Sequence, residues 1–350
     1  MFHHQRDICT NVICTLITMW MTSFKVLGWV VNRGPLVRPL DAVQFVAVYA
    51  FPITPTNICQ EALSVKANGA NGDDSQGKAK AEVWRQGGRL AESTGGYWVS
   101  VRNFAGKILA AIVTVYVLTS HPGCPEIVKS FLYGFGLYSV LGMIMDGPAA
   151  LATSAIGMQI APHFDNPYTA HSLAEFWNKR WNLTAGNLLR FLVYDPINEG
   201  RLIHDPTVSV ARSKSRRLVG MSMSFVVSGI MHEIMVLYLA HRFSGHMMTY
   251  FLCQPVVLVA EQVVKGQLKK HGMDMPVPIG WIYTVGGEVW LSHQFFFGGI
   301  FRDVGIPARF CANMADTGAQ LSSVSKAVAG PVLSTLGSVG SLWWWAGPEL

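Results

Sequence analysis

Long apolar stretches alternate with shorter polar segments along most of the chain. Eight stretches approach the roughly 20 residues that a helix needs to cross a hydrocarbon core of about 30 Å. They cover residues 10–31, 40–58, 104–120, 131–158, 218–240, 248–265, 279–300 and 328–346. The pattern predicts an all-α polytopic integral membrane protein, with about eight transmembrane helices in a single domain over residues 1–350.

The polar segments between these stretches predict a topology. Residues 64–96 are rich in Gly, Asn and charged residues, which is typical of a disordered loop. The first stretch has no clear cleavage site, so we expect a retained span rather than a signal peptide. With eight spans, 17 of the Lys and Arg residues fall on the side of the N-terminus and 7 on the other. The positive-inside rule then places the N-terminus in the cytosol.

Composition agrees with a membrane protein and excludes some functions. Half of the residues are apolar and 14% are charged, against about a quarter charged in soluble domains. The net charge is +6, yet no basic stripe with interleaved aromatic residues indicates nucleic-acid binding. The six cysteines form no CxxC pair, so the sequence predicts neither a zinc site nor a disulfide framework. No bound metal or cofactor is expected.

A short amphipathic helix is predicted from the segment SLAEFWNKRWN, residues 172–182. Ser172 and Glu175 have the spacing of a capping box. The aromatic residues Trp177 and Trp181 lie on one side of the helix, and Arg180 lies towards the other. Such a helix is too short to cross a membrane and is typical of the interface. It places Asn182 at the membrane boundary, although an aromatic anchor without a catalytic part has the same pattern.

The segment 225–240 places His232 and Glu233 in the middle of an apolar stretch. Ionisable residues at membrane depth are unfavourable unless they are paired, and they commonly mark functional sites. Ser224 and Ser228 precede His232 by eight and four residues, so the three form a polar stripe on one helix face. The stripe favours a tunnel wall, although a histidine that simply bonds another helix is also compatible. Glu233 points about 100° away around the helix, so we interpret it as a partner for another helix.

A cluster of cations precedes this span. Its members are Arg212, Lys214, Arg216 and Arg217. One interpretation is a topology signal that contacts anionic lipid. The other is attraction of a cosubstrate that carries phosphate groups.

Three stretches resemble the wax-synthase-like branch of the membrane-bound O-acyltransferases. They are FWNKRWNLTAGNLLRFLVYDPI, then SGIMHE, then FLCQPVVLVAEQ. The resemblance covers about residues 131–300, where we expect the catalytic core, and it is closer to fungal terpenoid and meroterpenoid O-acetyltransferases than to plant wax synthases. It implies that Asn182 and His232 are catalytic.

This resemblance implies acyl transfer from an acyl-CoA cosubstrate to a lipophilic alcohol. A histidine can remove the hydroxyl proton, and a side-chain amide can stabilise the oxyanion. The expected donor is acetyl-CoA, the acceptor a terpenoid, and the location the endoplasmic reticulum. Candidate substrate-binding residues are Trp177, Arg180, Trp181, Ser228, Arg212, Arg216 and Arg217.

Other functions remain open at this point. A wax synthase that uses a long-chain acyl donor has the same motifs. A transporter in which His232 and Glu233 relay protons would predict repeat symmetry between two halves of the sequence, which the sequence does not display. A non-catalytic membrane scaffold is the remaining class. The HxxxD pattern at residues 3–7 and the His241–His246 pair lack the companion motifs of soluble acyltransferases and di-iron enzymes.

Overall fold

The structure is a computed structural model that describes residues 15–55, 97–158, 160–205, 207–208, 213–240 and 243–298. Within these ranges the regular secondary structure is helical, and the β-type pairing consists of one isolated bridge between Pro55 and Ile160. The described part is therefore all-α, as predicted. The predicted loop 64–96 and the predicted span 328–346 lie outside the described residues.

Helices are numbered in chain order. They are α1 (Ser23–Val30), α2 (Ala42–Ala50), α3 (Tyr97–Ser120), α4 (Glu126–Ile156), α5 (Leu173–Glu175), α6 (Leu183–Leu189), α7 (Asp195–Glu199), α8 (Lys214–Ala240), α9 (His246–Lys270), α10 (Val277–Trp281) and α11 (Gly287–Leu291). Short 3₁₀ turns cover Pro35–Val37 and Pro167–Thr169, and π-helical segments cover Thr15–Thr22, Phe176–Arg180, Arg190–Tyr194, Ile282–Gly286 and Ser292–Phe297.

Four helices of the described part are long and apolar enough to cross a membrane. They cover Ser100–Ser120, Glu126–Ile156, Lys214–Tyr238 and His246–Lys270. Extensive packing joins α3 to α4 and α8 to α9, and each pair is connected by a short loop. Many apolar side chains on these helices are exposed, as expected where lipid takes the place of water. These features make the chain an integral membrane protein, and among the described residues four of the predicted spans are present as helices of sufficient length.

The predicted span 40–58 is wrong for a local reason. Helix α2 ends at Ala50, and Phe51 is already extended at φ −106° and ψ 154°. Pro52 follows directly, and the residue before a proline is disfavoured in the α region. The nine residues of α2 extend only about 14 Å, well short of a hydrocarbon core. The stretches 10–31 and 279–300 are helical within the described residues, but both contain π-helical segments.

The eight-span topology places the loop 32–39 on the side opposite to the N-terminus and the loop 159–217 on the side of the N-terminus, and this prediction is also wrong. Arg33 in the loop 32–39 forms an ion pair with Glu199 at 2.6 Å (Nη2 to Oε2), and its Nε donates to the carbonyl oxygen of Leu202 at 2.9 Å. The amide of His204 donates to the carbonyl oxygen of Val31. Eight alternating spans would separate these two loops by a membrane. Because α2 does not span, they lie on the same side of the molecule.

A buried ion pair connects α3 and α4. Lys107 Nζ lies 2.5 Å from Asp146 Oδ2, and both side chains are almost fully buried. The same ammonium lies 5.4 Å from the ring centroids of Tyr138 and Phe164. Gly142 provides the room, since a Cβ at this position would lie within 2.7 Å of the Lys107 side chain. The pair therefore fixes how the two helices face each other.

The Arg33–Glu199 pair generates a stability prediction. In Arg33→Ala, Glu199 loses a bidentate partner in a mostly buried place, so unfolding should become easier by roughly 2–4 kcal/mol. The apparent melting temperature of the detergent-solubilised protein is the measurement. Lys129→Ala is the control, because its pair with Glu126 is solvent-exposed and its loss should change little. Equal melting temperatures for Arg33→Ala and the wild type would contradict this account of the fold.

Candidate active site

A cavity of about 680 Å³ lies beside α8 and is lined by both apolar and polar side chains. This volume falls within the usual range of ligand pockets, about 300–1,000 Å³. One face of α8 forms its longest wall, through Lys214, Arg217, Leu218, Met221, Ser224, Phe225, Ser228 and His232. These residues recur every three or four positions, as one helix face requires. The wall extends about 27 Å along the helix axis.

π-helical segments contribute much of the remaining wall. The lining residues that come from them are Trp20, Phe176, Trp177, Asn178, Arg190, Tyr194, Val285, Ser292, Phe296 and Phe297. A π turn inserts an extra residue into a helix and turns side chains away from their α-helical positions, and such turns are frequent at functional sites. The cavity is therefore surrounded by backbone that departs from the regular helix.

His232 lies near the end of this wall, and its hydrogen bonding fixes its tautomer. Its Nδ1 lies 2.7 Å from the backbone carbonyl oxygen of Ser228. A carbonyl can only accept a hydrogen bond, so Nδ1 carries the proton and the neutral ring keeps a lone pair on Nε2. Among the described residues, Nε2 has no hydrogen-bond partner. The histidine thus offers a basic nitrogen at the cavity wall.

Aromatic rings surround this imidazole. The ring centroids of Phe251, Trp20 and Phe296 lie 4.4, 4.9 and 6.2 Å from that of His232. They come from α9 and from two π-helical segments. The imidazole therefore has little freedom to rotate away from Ser228, and its surroundings are mostly apolar. The predicted polar stripe is present, because Ser224 and Ser228 line the same cavity.

Asn182 lines the same cavity and also begins helix α6. Its backbone is left-handed at φ 37°, a conformation that asparagine tolerates better than most residues. Its Oδ1 accepts a hydrogen bond from the amide of Ala185 at 3.2 Å, which is an N-cap. This bond orients the side chain, and its NH₂ group donates to none of the described residues. The asparagine therefore offers a fixed donor.

The predicted amphipathic helix is formed by α5 and the π-helical segment Phe176–Arg180. Ser172 Oγ caps it by accepting from the amide of Glu175, whereas Glu175 accepts from the amide of His171 rather than from that of Ser172. Trp177 and Trp181 both line the cavity. Trp181 stacks on Phe176 at 5.5 Å and 16°, so the aromatic side of the helix faces the protein.

Arg180, which we predicted to be a substrate-binding residue, has a structural role here. Its guanidinium pairs with Glu175 at 2.8 Å (Nη2 to Oε1) and donates to Thr169 Oγ1 and to the carbonyl oxygen of Asp165. It holds the loop 165–169 against the helix and is not among the cavity residues.

Cations line the end of the cavity that lies far from His232. Lys214 and Arg217 come from the first turn of α8, and Arg190 comes from the segment after α6. Asp195 lies 3.8 Å from the Arg190 Nε, and burial raises the pKa of Asp195 to about 6, against the opposing effect of Arg190. Of the other predicted cations, Arg212 lies outside the described residues, and Arg216 faces Gly200 instead of the cavity.

Glu233 points to a different helix from His232, as predicted. Its Oε1 accepts from the amides of Ser244 and Gly245, both at 2.6 Å, and its Oε2 accepts from the amide of Met248 at 3.3 Å. These amides belong to the first turn of α9 and the residues before it, where a helix leaves its N–H groups without partners. Glu233 therefore caps α9 from the neighbouring helix.

Sequence reasoning missed a buried polar network in the cavity wall. Tyr250 and Gln254 on α9 donate to Glu288 Oε2 at 2.6 and 3.3 Å, and Trp177 Nε1 donates to Gln254 Oε1 at 3.1 Å. The i, i+4 spacing of Tyr250 and Gln254 could have indicated a shared face. It also missed Trp20 and Arg190, for which the sequence carries no signal beyond residue type. Among the described residues, no group of three His, Cys, Asp or Glu side chains could hold a metal.

The part of the chain that contains the candidate site is similar in sequence to known proteins. Residues 160–254 match the membrane bound O-acyl transferase family. The matched region contains both Asn182 and His232. It also contains the whole cavity wall on α8 and every residue of the polar network except Glu288.

Individual relatives are named as enzymes of this kind. The chain is 25% identical to a "Long-chain-alcohol O-fatty-acyltransferase" from Simmondsia chinensis, over 79% of the chain and 72% of that protein. It is 27% identical to "Acyl-CoA--sterol O-acyltransferase 1" from Arabidopsis thaliana, over 73% of the chain and 66% of that protein. A probable long-chain-alcohol O-fatty-acyltransferase of the same plant is 33% identical, over 51% of each chain. These similarities support the wax-synthase-like family and O-acyltransferase activity, whereas the expected fungal terpenoid branch is not confirmed.

The role of Glu233 generates a prediction about stability. Glu233→Ala leaves several buried amides of α9 without an acceptor, so the folded state should lose roughly 2–4 kcal/mol. Glu233→Gln keeps one acceptor oxygen and should lose less. Hydrogen exchange of the amides around residues 244–248 is the direct measurement, and it should accelerate in Glu233→Ala. Unchanged protection there would contradict the capping role, and Glu126→Gln, at an exposed position, is the control.

Proposed function

We propose that the protein transfers an acyl group from acyl-CoA to the hydroxyl of a lipophilic alcohol inside this cavity. The observation that carries the proposal is the environment of His232. The imidazole presents an unprotonated Nε2 to a cavity that also contains an oriented amide donor, Asn182. A base and an oxyanion donor in one mostly apolar cavity are what direct acyl transfer to an alcohol requires.

The reaction follows from these two groups. His232 Nε2 accepts the proton of the alcohol while its oxygen attacks the thioester carbonyl carbon. The carbonyl oxygen becomes an oxyanion, which Asn182 Nδ2 stabilises by donating a hydrogen bond. When the tetrahedral intermediate collapses, the carbon–sulfur bond breaks and the imidazolium returns its proton to the departing thiolate. The products are an ester and free CoA, and no acyl-enzyme intermediate forms.

The charged end of the cavity suggests where the cosubstrate enters. Arg190, Lys214 and Arg217 lie at the start of the α8 wall, and cations attract phosphate groups. His232 lies about 22 Å further along the helix than Arg217. An elongated donor with its phosphates at these cations would extend its thioester towards the histidine. Predicted contacts of Trp177, Trp181 and Ser228 with substrate are consistent with their places in the wall.

Two substrate pairs are candidates within this reaction. The sequence resemblance favours acetyl-CoA with a terpenoid alcohol, in the endoplasmic reticulum. The names of the relatives favour a fatty acyl donor, with a long-chain alcohol or a sterol as acceptor. The proton-relay transporter receives less support, because both carboxylate oxygens of Glu233 are engaged in capping α9.

The first test uses microsomes that contain the wild type or His232→Ala, given labelled acetyl-CoA or palmitoyl-CoA with terpenoid, sterol and fatty alcohols. The wild type should form labelled ester, and His232→Ala should lose at least about 100-fold in rate, since general base catalysis contributes roughly 10²–10⁴-fold. The active donor and acceptor identify the substrate pair. Ester formation that survives the substitution at equal protein level would overturn the role of His232.

The two proposed roles of Asn182, as the N-cap of α6 and as the oxyanion donor, can be tested separately by substitution. Asn182→Asp keeps an oxygen that can cap α6 and is also compatible with a left-handed backbone, but it removes the NH₂ donor. We expect near wild-type thermal stability together with a rate loss of about 10²–10³-fold, the usual cost of one oxyanion donor. Asn182→Ala should lose both stability and rate. An active Asn182→Asp protein would leave the asparagine with a structural role alone.

A further inference from the structure

One carboxylate oxygen in the cavity wall lacks a partner. Glu288 is 7% exposed and lines the cavity. Its Oε2 accepts hydrogen bonds from Tyr250 and Gln254, whereas its Oε1 is buried without any hydrogen-bond partner. Buried polar atoms are nearly always paired, so an exception requires an explanation. A ligand group that donates a hydrogen bond would supply one.

The network around Glu288 holds its carboxylate rigidly. Tyr250 OH and Gln254 Nε2 approach the same oxygen, and Gln254 is itself fixed by the indole N–H of Trp177. Gln254 and Tyr250 are both buried. Rotation of the carboxylate would break the bond to Tyr250, which is 2.6 Å long. Oε1 is therefore an oriented acceptor.

This acceptor lies on the side of the cavity that contains His232. Phe251 connects the two, since its ring centroid lies 4.4 Å from that of His232 and 5.0 Å from that of Tyr250. Phe296 provides a second connection, at 6.2 Å from His232 and 5.3 Å from Tyr250. The polar network is thus separated from the catalytic base by a single layer of aromatic rings. Glu288 and His232 nevertheless line the same cavity.

We propose that Glu288 is a specificity residue that binds a second hydroxyl, or another hydrogen-bond donor, of the acceptor alcohol. This inference rests on the proposed function and names the acceptor class: a lipophilic alcohol that carries a further donor group. One hydroxyl meets Nε2 of His232 and is acylated, while the other donates to Oε1 of Glu288. A site built to bind a hydroxyl discriminates strongly against an analogue that lacks it, because its own polar atom is then left unpaired.

The test compares acceptors on the wild-type protein in microsomes. It uses α,ω-alkanediols over a series of chain lengths, with the matching 1-alkanols and the matching hydroxy-ketones, under the acyl donor that is active. The diol should have the higher kcat/KM at a favoured chain length, by about tenfold or more after correction for its two equivalent hydroxyls. The hydroxy-ketone should not have this higher kcat/KM, because its carbonyl oxygen can only accept a hydrogen bond and Oε1 of Glu288 is also an acceptor.

The variant Glu288→Gln is expected to change the preference between acceptor alcohols in a defined direction. Its amide oxygen can keep the bonds from Tyr250 and Gln254, while its NH₂ group takes the place of Oε1 and donates. The preference should therefore move from the diol towards the hydroxy-ketone. Glu261→Gln is the matched control, since Glu261 is also a buried carboxylate of this bundle but is outside the cavity lining and bonds Leu173 and Lys265. It should leave the ratio of diol to mono-alcohol unchanged.

The outcomes separate this inference from the proposed function. Equal kcat/KM values of the wild type for 1-alkanols and diols at every chain length would overturn the role of Glu288, while acyl transfer would stand. This outcome can be read from the wild type alone, so it does not require that Glu288→Gln accumulates. A ratio of kcat/KM for the diol to that for the hydroxy-ketone that is equal in the wild type and in Glu288→Gln would also overturn the role of Glu288. Esterification of no alcohol of any class, with either donor, would instead count against the proposed function.

Discussion

A polar group within an apolar helical bundle must find its partner inside the protein, because the hydrocarbon around the bundle offers none. The arrangement of the helices follows from how these partners are found. Lys107 pairs with Asp146 and connects α3 to α4. Glu233 connects α8 to the start of α9. Arg33 pairs with Glu199 and holds the N-terminal helices against the segment that carries Asn182. The first two interactions join consecutive helices, whereas the Arg33–Glu199 pair links elements that are distant in sequence.

His232 and Glu233 illustrate how one helix serves two purposes. They are neighbours in sequence, yet their side chains diverge by about 100° around the helix. The glutamate faces α9 and satisfies amides that would otherwise be buried without acceptors. The histidine faces the cavity and satisfies only one of its nitrogens, through Ser228. The capping bonds fix the rotation of α8 relative to α9, and the same rotation directs the imidazole into the cavity.

Much of the site could be predicted from the sequence because it depends on local periodicity. His232, Ser228 and Ser224 share a helix face by spacing alone, and Asn182 follows directly from the end of a short aromatic helix. The partners of Arg180 could not be predicted because they include a loop that folds back onto its helix, and the network around Glu288 could not be predicted because it joins residues from different helices. The predicted span 40–58 failed for a local reason, because this apolar stretch contains prolines that end its helix at Ala50. The length of an apolar stretch indicates how hydrophobic the segment is, but it does not show where the backbone can remain helical.

Polar side chains in and around the cavity differ in whether other residues of the protein satisfy their hydrogen bonds. Outside the cavity lining, Glu233, Arg180 and Gln254 have their main hydrogen-bonding capacity occupied by other residues, and they hold the structure. His232 Nε2, the side-chain amide nitrogen of Asn182 and Glu288 Oε1 differ, because they belong to cavity-lining residues and have no hydrogen-bond partner among the described residues. Each is held in place by a bond made through the other heteroatom of the same side chain. An active site needs this combination, because a group that is oriented but unpaired loses nothing when it binds a substrate. In the proposed reaction, the three atoms would provide a base for the reacting hydroxyl, a donor for the thioester carbonyl oxygen and an acceptor for a second donor group of the alcohol.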